Sequence, residues 1–279
     1  MTDITWTLSG FGDEIDADPD VQIAVLQALG ANHIEIRSAW NTNIVDMSPA
    51  QLGDFAKVLA ARGMRVSAIA SPIGKVDIAG DPDAELARLE RAIAAAQHFD
   101  ARYIRIFSFY RAVGVPVSDI RDEVITRMRD WADLAERNDV VLVHENEKDI
   151  YGDIPSRVLD IITSVGSDAL RVAWDNANYV QCGVRPYDDG YAMLRPYLEY
   201  LQVKDAIAGT DEVVPDGRGD GQLVETLTSL RDDGYTGFAS LEPHLAIQHG
   251  LGGFSGPAAF GRAARAFATL TDAIGVHLV

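Results

Sequence analysis

Only one cysteine, Cys182, stands among 279 residues, so no disulfide can form within the chain. That usage fits a reducing, cytoplasmic setting. Basic side chains are also scarce: 24 Lys and Arg face 42 Asp and Glu, a net charge of −18. A field of that sign repels phosphate backbones and excludes a nucleic-acid binder that works by neutralising them. It leaves small anions open as ligands, because a few Arg and Lys can dominate inside a pocket. No apolar run approaches about 18 residues, so no membrane span is expected. The opening MTDITWTLSG has no basic segment followed by an apolar stretch, and reads as no secretory signal. No Gly-rich phosphate loop follows an early strand: GFGDEI lacks the dinucleotide-binding spacing, and SPIGK lacks the Walker spacing and its Ser or Thr. No proline-rich or low-complexity joint divides the chain, which reads as a single domain over 1–279.

What the chain does contain is a repeated alternation of short β-branched or aromatic runs with helical periodicity. Strands are predicted at Thr5–Gly10, His33–Arg37, Met64–Ala70, Arg102–Ser108, Val140–Glu145, Leu170–Asp175, Tyr200–Lys204 and Gly237–Glu242. Helices follow them at Pro19–Leu29, Ser48–Gly63, Asp83–Phe99, Ser118–Asn138, Pro155–Val165, Tyr187–Arg195, Gln222–Asp232 and Pro257–Ala273. Ser48 and Pro49 make a sound helix start, and Gly30 and Gly63 make stops. Eight such units at about 35 residues each give the spacing of a single (β/α)8 barrel. In that architecture the loops after the strands build the active face, and three of them (38–47, 71–82 and 205–221) are long.

Strand ends are therefore where chemistry is sought. Glu145, Asp175 and Glu242 close the fifth, sixth and eighth strands. Gathered in one pocket they would repel and raise one another's pKa unless a cation sat among them. A divalent ion would meet that need with oxygen ligands. Pairing with Lys204, Arg37 or Arg105 would meet it as well. Glu147 lies two residues beyond Glu145 on the same side; Glu145 is preferred because it directly ends the run VVLV. His144 has the opposite parity and is expected to pack between strand and helix.

The segments LVHENE, VAWDNANYVQCG, YLQVKDA, GRGDG and ASLEPH resemble those of the xylose isomerase-like TIM-barrel superfamily, which includes sugar isomerases, ketose 3-epimerases and endonuclease IV relatives. The resemblance runs over nearly the whole chain. It implies a metal held by Glu145, Asp175, the residue at Gln202 and Glu242. The family carries His where this chain has Gln202, and many relatives carry His at Asn178. An all-oxygen set would favour Mn²⁺ or Mg²⁺ over Zn²⁺. Endonuclease IV chemistry, with several zinc ions on many histidines, fits poorly with six His.

By the same resemblance Glu145 and Glu242 are the acid–base pair, moving a proton at a carbon next to a carbonyl of a keto-sugar or sugar derivative. Lys204 or Arg218 would steady the developing oxyanion. Arg37 and Lys75 would suit an anionic group on the substrate. Trp40 and Phe107 are candidates for an apolar wall, and Asn178 and His244 for further contacts. Two other readings stay open: a lyase or dehydratase in which the enolate expels a β-substituent, and a non-catalytic sugar-binding barrel that has lost its metal. The expected partner is a small sugar rather than nucleic acid or membrane, with homo-oligomers open.

Overall fold

The structure is a computed structural model that describes residues 4–246 and 253–279. Eight parallel strands follow one another around a central axis: β1 (Ile4–Gly10), β2 (His33–Ile36), β3 (Arg65–Ile69), β4 (Tyr103–Ile106), β5 (Val141–Glu145), β6 (Leu170–Asp175), β7 (Leu198–Val203) and β8 (Phe238–Leu241). Each of β2 to β8 pairs with the next, and β8 pairs in parallel with β1. A single bridge, Phe11 to Glu35, joins the first strand's end to β2, so the sheet comes round as a (β/α)8 barrel. Short β9 (Val276–Leu278) adds to the outer edge of β1.

Helices α1 (Pro19–Ala28), α2 (Pro49–Ala61), α3 (Pro82–His98), α4 (Arg121–Arg137) and α5 (Pro155–Val165) cover the first five units. The short α6 (Asn176–Gln181), α7 (Leu223–Asp232) and α8 (Gly256–Ala273) cover the rest. Their starts follow from local chemistry. Asp18 and Asp81 accept from backbone N–H groups of α1 and α3, and Ser48 and Gln51 form a reciprocal capping box on α2. Gly166 ends α5 with φ of 70°, a left-handed turn that favours glycine. The helix predicted at Tyr187–Arg195 is irregular, a wide turn over Tyr187–Tyr191 followed by one turn of α-helix. Helix α6 and strand β9 were not expected from the sequence.

Strand alternation sorts side chains into two layers. Outward positions such as Leu142, Trp174, Leu201, Val203 and Leu241 join the large core between sheet and helices. Inward positions are graded along the axis. Val141, Val143, Ala173 and Tyr200 pack with Tyr103 and Phe238 into a small apolar plug. Above it lies a polar layer, where the Tyr200 hydroxyl donates to Glu35 at 2.9 Å and Ser9 and Ser67 share a hydrogen bond of 2.6 Å. At the strand ends the same inward parity brings Glu145, Asp175, Lys204 and Glu242 to the open end. The sequence thus uses one parity to fill the floor and to arm the mouth.

Candidate active site

The strands and the loops that follow them bring charged groups to the mouth, and most of these pair in one network. Glu145 Oε2 lies 3.0 Å from Arg105 Nη1. Asp175 Oδ2 lies 2.8 Å from Lys204 Nζ, which is also 3.2 Å from Glu242 Oε2. Glu242 Oε1 faces Arg37 Nη1 at 3.1 Å, Arg105 Nη1 at 3.4 Å and His244 Nε2 at 3.3 Å. The Arg37 guanidinium reaches onward to Asp13 at 2.8 Å and donates to the Gly253 carbonyl. These side chains are almost wholly buried, apart from the partly exposed His244.

Neighbouring groups fix the orientation of the carboxylates. Asn178 Nδ2 donates to Glu145 Oε1 at 2.8 Å, while Asp175 Oδ1 caps α6 by accepting from the Asn178 backbone N–H. The unexpected helix α6 therefore has a reason: the strand-end acid is its N-cap. Asn146 holds β5 to β6 by exchanging hydrogen bonds with the Asp175 backbone. Phe107 lies buried beneath the cations, with Lys75 over its ring at 4.2 Å and Arg105 at 4.9 Å. Lys75 pairs with Glu147 at 2.7 Å. A cavity of about 70 Å³ opens here, lined by Arg37, Lys75, Arg105, Glu145, Glu147, Lys204, Glu242 and His244 among others. A larger cavity of about 520 Å³ lies beside α6 and α7, away from this network.

Three residues expected at the site lie elsewhere. Trp40 is 38% exposed and packs against Phe55, well placed for the barrel wall but not lining the mouth cavity. Arg218 is exposed on the loop after β7. Gln202 sits one layer below the mouth, where its amide donates weakly to Glu35 at 3.5 Å. His144 is fully buried, against Gly152. Two residues that sequence reading passed over belong to the mouth: Asp13, on Arg37, and Glu14, whose carboxylate meets His244 Nε2 at 3.0 Å. Both follow the first strand in GFGDEI, and a survey of all eight strand ends would have found them.

Burial and charge push the acids apart. Burial raises Glu145 to about 7, against the pull of Arg105. Burial works against Glu242 too, but Lys204, His244 and Arg105 outweigh it and hold that carboxyl well below its ordinary range. Burial raises Glu35 to about 7. His244 is disfavoured as a cation by burial, yet Glu14 and Glu242 lift it to about 9.

These shifts set a pH dependence of stability. Glu35 and Glu145 bind protons more tightly folded than unfolded, so each lowers stability as pH rises from 4.5 to about 7. The slope is about 1.4 kcal/mol per pH unit for each group that titrates fully. His244 has the opposite charge type: its contribution is complete below 6.5 and is lost as pH rises through about 9. The buried His33 and His144, lowered to about 4 and about 3, oppose this slope below pH 6.5. The readout is therefore the difference between Glu35→Gln and the wild type: denaturant unfolding is expected to favour the variant relatively more at pH 7.5 than at pH 5. A difference independent of pH would contradict the Glu35 assignment.

Oxygens of Glu145, Asp175 and Glu242 lie within 4.8 Å of one another, a grouping that could hold a metal ion. Glu145 Oε2 and Asp175 Oδ2 touch their cations outside hydrogen-bonding geometry, and Gln202 Oε1 is buried without a donor. Such donor-poor oxygens are chemically suited to a hard divalent cation. A second grouping, Glu14, Glu242 and His244, shares Glu242.

The family described as xylose isomerase-like TIM barrel matches residues 23–268. Among solved structures, the chain resembles a xylose isomerase-like TIM barrel protein from Mycobacterium smegmatis in complex with magnesium (TM-score 0.70, 20% identity, covering 97% of this chain and 98% of that one). It also resembles the probable 3-DHS dehydratase AsbF from Bacillus anthracis (TM-score 0.74, 16% identity, covering 95% and 99%). A third likeness is to D-psicose 3-epimerase from Clostridium cellulolyticum H10 (TM-score 0.73, 15% identity, covering 96% and 99%). No curated protein sequence matches. At these identities the structural likenesses establish the fold.

Proposed function

The chain belongs to the xylose isomerase-like TIM-barrel family, and from that premise we propose that it is an isomerase or epimerase of a small keto-sugar or sugar derivative, using Glu145 and Glu242 to move a proton next to a carbonyl. The observation that carries this reading is the pairing of two buried carboxyls of opposite character at one cavity: Glu145 raised to about 7 and Glu242 held ionised by surrounding cations. Environments that separate two acids in this way assign a proton donor and a proton acceptor.

Glu242 takes the proton from the carbon beside the carbonyl. The electron pair left behind delocalises onto the carbonyl oxygen as an enediolate. Lys204, Arg105 and Arg37 surround Glu242 and present positive charge to that oxygen in a site nearly free of solvent. Glu145 returns a proton to the carbon, on the opposite face for epimerisation, and Asn178 keeps its carboxyl aligned through Oε1. Lys75, above Phe107, and His244, at the rim, are suited to contact the substrate's outer oxygens. Glu145, Asp175 and Glu242 would hold a divalent ion, and Mn²⁺ or Mg²⁺ suits those oxygens better than Zn²⁺. Bound there, the ion would polarise the substrate's carbonyl and hydroxyl oxygens.

A lyase reading shares the first half of this chemistry and is supported by the likeness to a probable dehydratase. Incubating the protein with a panel of ketoses and sugar acids in D2O tests both. Deuterium in recovered sugar of otherwise unchanged mass supports isomerisation, and loss of water or of an aglycone supports elimination. Folded protein that exchanges no proton on any member of the panel contradicts the proton-transfer reading.

A further inference from the structure

Lys204 stands two residues beyond Gln202 and shares its inward parity, so its side chain enters the mouth from the barrel interior. Its ammonium contacts Asp175 Oδ2 at 2.8 Å and Glu242 Oε2 at 3.2 Å, and the side chain is 3% exposed. These are two of the three carboxylates whose oxygens gather within 4.8 Å. The third, Glu145, is met by Arg105. The cluster therefore has a cation of its own, supplied by the chain.

We infer that the Lys204 ammonium and a divalent cation compete for one place among Glu145, Asp175 and Glu242, so that the chain carries an internal counter-ion and takes up metal only by displacing it. A hard divalent ion needs carboxylate oxygens at about 2.0–2.6 Å. An ammonium already in contact with two of the three carboxylates fills that volume, and two cations at contact distance repel strongly in a buried site. Each arrangement neutralises the same acids, so each is stable without the other. Asp175 Oδ2, against the ammonium, and Glu145 Oε2, against Arg105, receive no well-directed hydrogen bond and keep the directional freedom to turn to a metal. Gln202, turned toward Glu35, offers the metal little help in that exchange. The inference rests on the site proposed above and concerns its affinity for metal, not the reaction.

The test is Mn²⁺ binding without substrate, by calorimetry, in the wild type, Lys204→Met and Gln202→His. Methionine keeps the bulk of the side chain and removes its charge. Lys204→Met is expected to bind Mn²⁺ at least about tenfold more tightly than the wild type. Gln202→His adds an imidazole but leaves the ammonium in place, and is expected to gain less. Equal affinity of wild type and Lys204→Met overturns the inference, as does a larger gain in Gln202→His. If Lys204→Met does not fold in chelator, because Asp175 then lacks its cation, refolding in excess Mn²⁺ becomes the readout: recovery supports competition, and failure to recover overturns it. Because no turnover is measured, a negative exchange experiment leaves this result standing, and failure here leaves the proton-transfer reading intact.

Discussion

The Glu242→Gln variant is expected to lose about 3–5 kcal/mol of stability at neutral pH, the range for breaking a buried charge network by removing one partner. Glu242 is the anion shared by Arg37, Arg105, Lys204 and His244. A neutral amide of the same shape leaves four crowded cationic groups without the anion they share, each keeping one other carboxylate: Asp13, Glu145, Asp175 and Glu14. Surface ion pairs would not produce such an effect, but here the carboxylate is 2% exposed and solvent cannot screen the loss. The sign with pH follows from its lowered pKa. The stabilisation from an ionised Glu242 is fully present above the ordinary carboxylate value and is lost as pH falls through its low folded value. The difference between variant and wild type is therefore expected to shrink in acid. Urea unfolding at several pH values measures it, and coincident curves at neutral pH would mean that the network contributes nothing. Turnover is expected to vanish as well, but in this variant that loss cannot be separated from damage to the mouth.

How far the mouth was legible in the sequence follows from what local pattern encodes. Period-two alternation and the stop of an apolar run locate a strand end, which is why Glu145, Asp175, Lys204 and Glu242 could be named as neighbours although the first and last are far apart in the chain. Pattern gives parity but not reach. Arg105 lies mid-strand with inward parity, and only the barrel's closure brings its guanidinium between Glu145 and Glu242. Gln202 shares that parity, yet it stands a layer lower than a mouth residue and meets Glu35 instead. Trp40 and Arg218 sit on long connections whose paths depend on distant contacts rather than on propensity. Helix α6 was hidden because Asp175 serves twice: its Oδ1 starts the helix while its Oδ2 faces Lys204. The repeated units were readable because the strands carry their own apolar alternation and the early helices their own caps, and such agreement between local and global preference specifies a fold.

The same contrast between anchor and proton carrier predicts the opposite pattern at Glu145. Glu145→Gln is expected to lower kcat about 10²–10⁴-fold, the usual contribution of a positioned acid or base. Near neutral pH its stability is expected to change by less than about 1.5 kcal/mol, near the net worth of one hydrogen bond. Burial already pushes this carboxyl to about 7, so close to neutrality the folded protein holds it half protonated and gains little from its charge. A glutamine carbonyl can still accept from Asn178, and Arg105 keeps Glu242 and the Ala70 carbonyl as partners. The amide cannot carry a proton, so deuterium exchange into substrate should fall with kcat while KM changes little. Because the amide does not titrate either, the variant should also lose its share of the stability decline between pH 4.5 and about 7, and become relatively more stable than the wild type at the alkaline end of that window. Lost exchange with retained fold and unchanged Mn²⁺ affinity assigns proton transfer to Glu145. Retained exchange would remove it from the chemistry, and a collapse as large as that of Glu242→Gln would make it a structural counter-ion to Arg105.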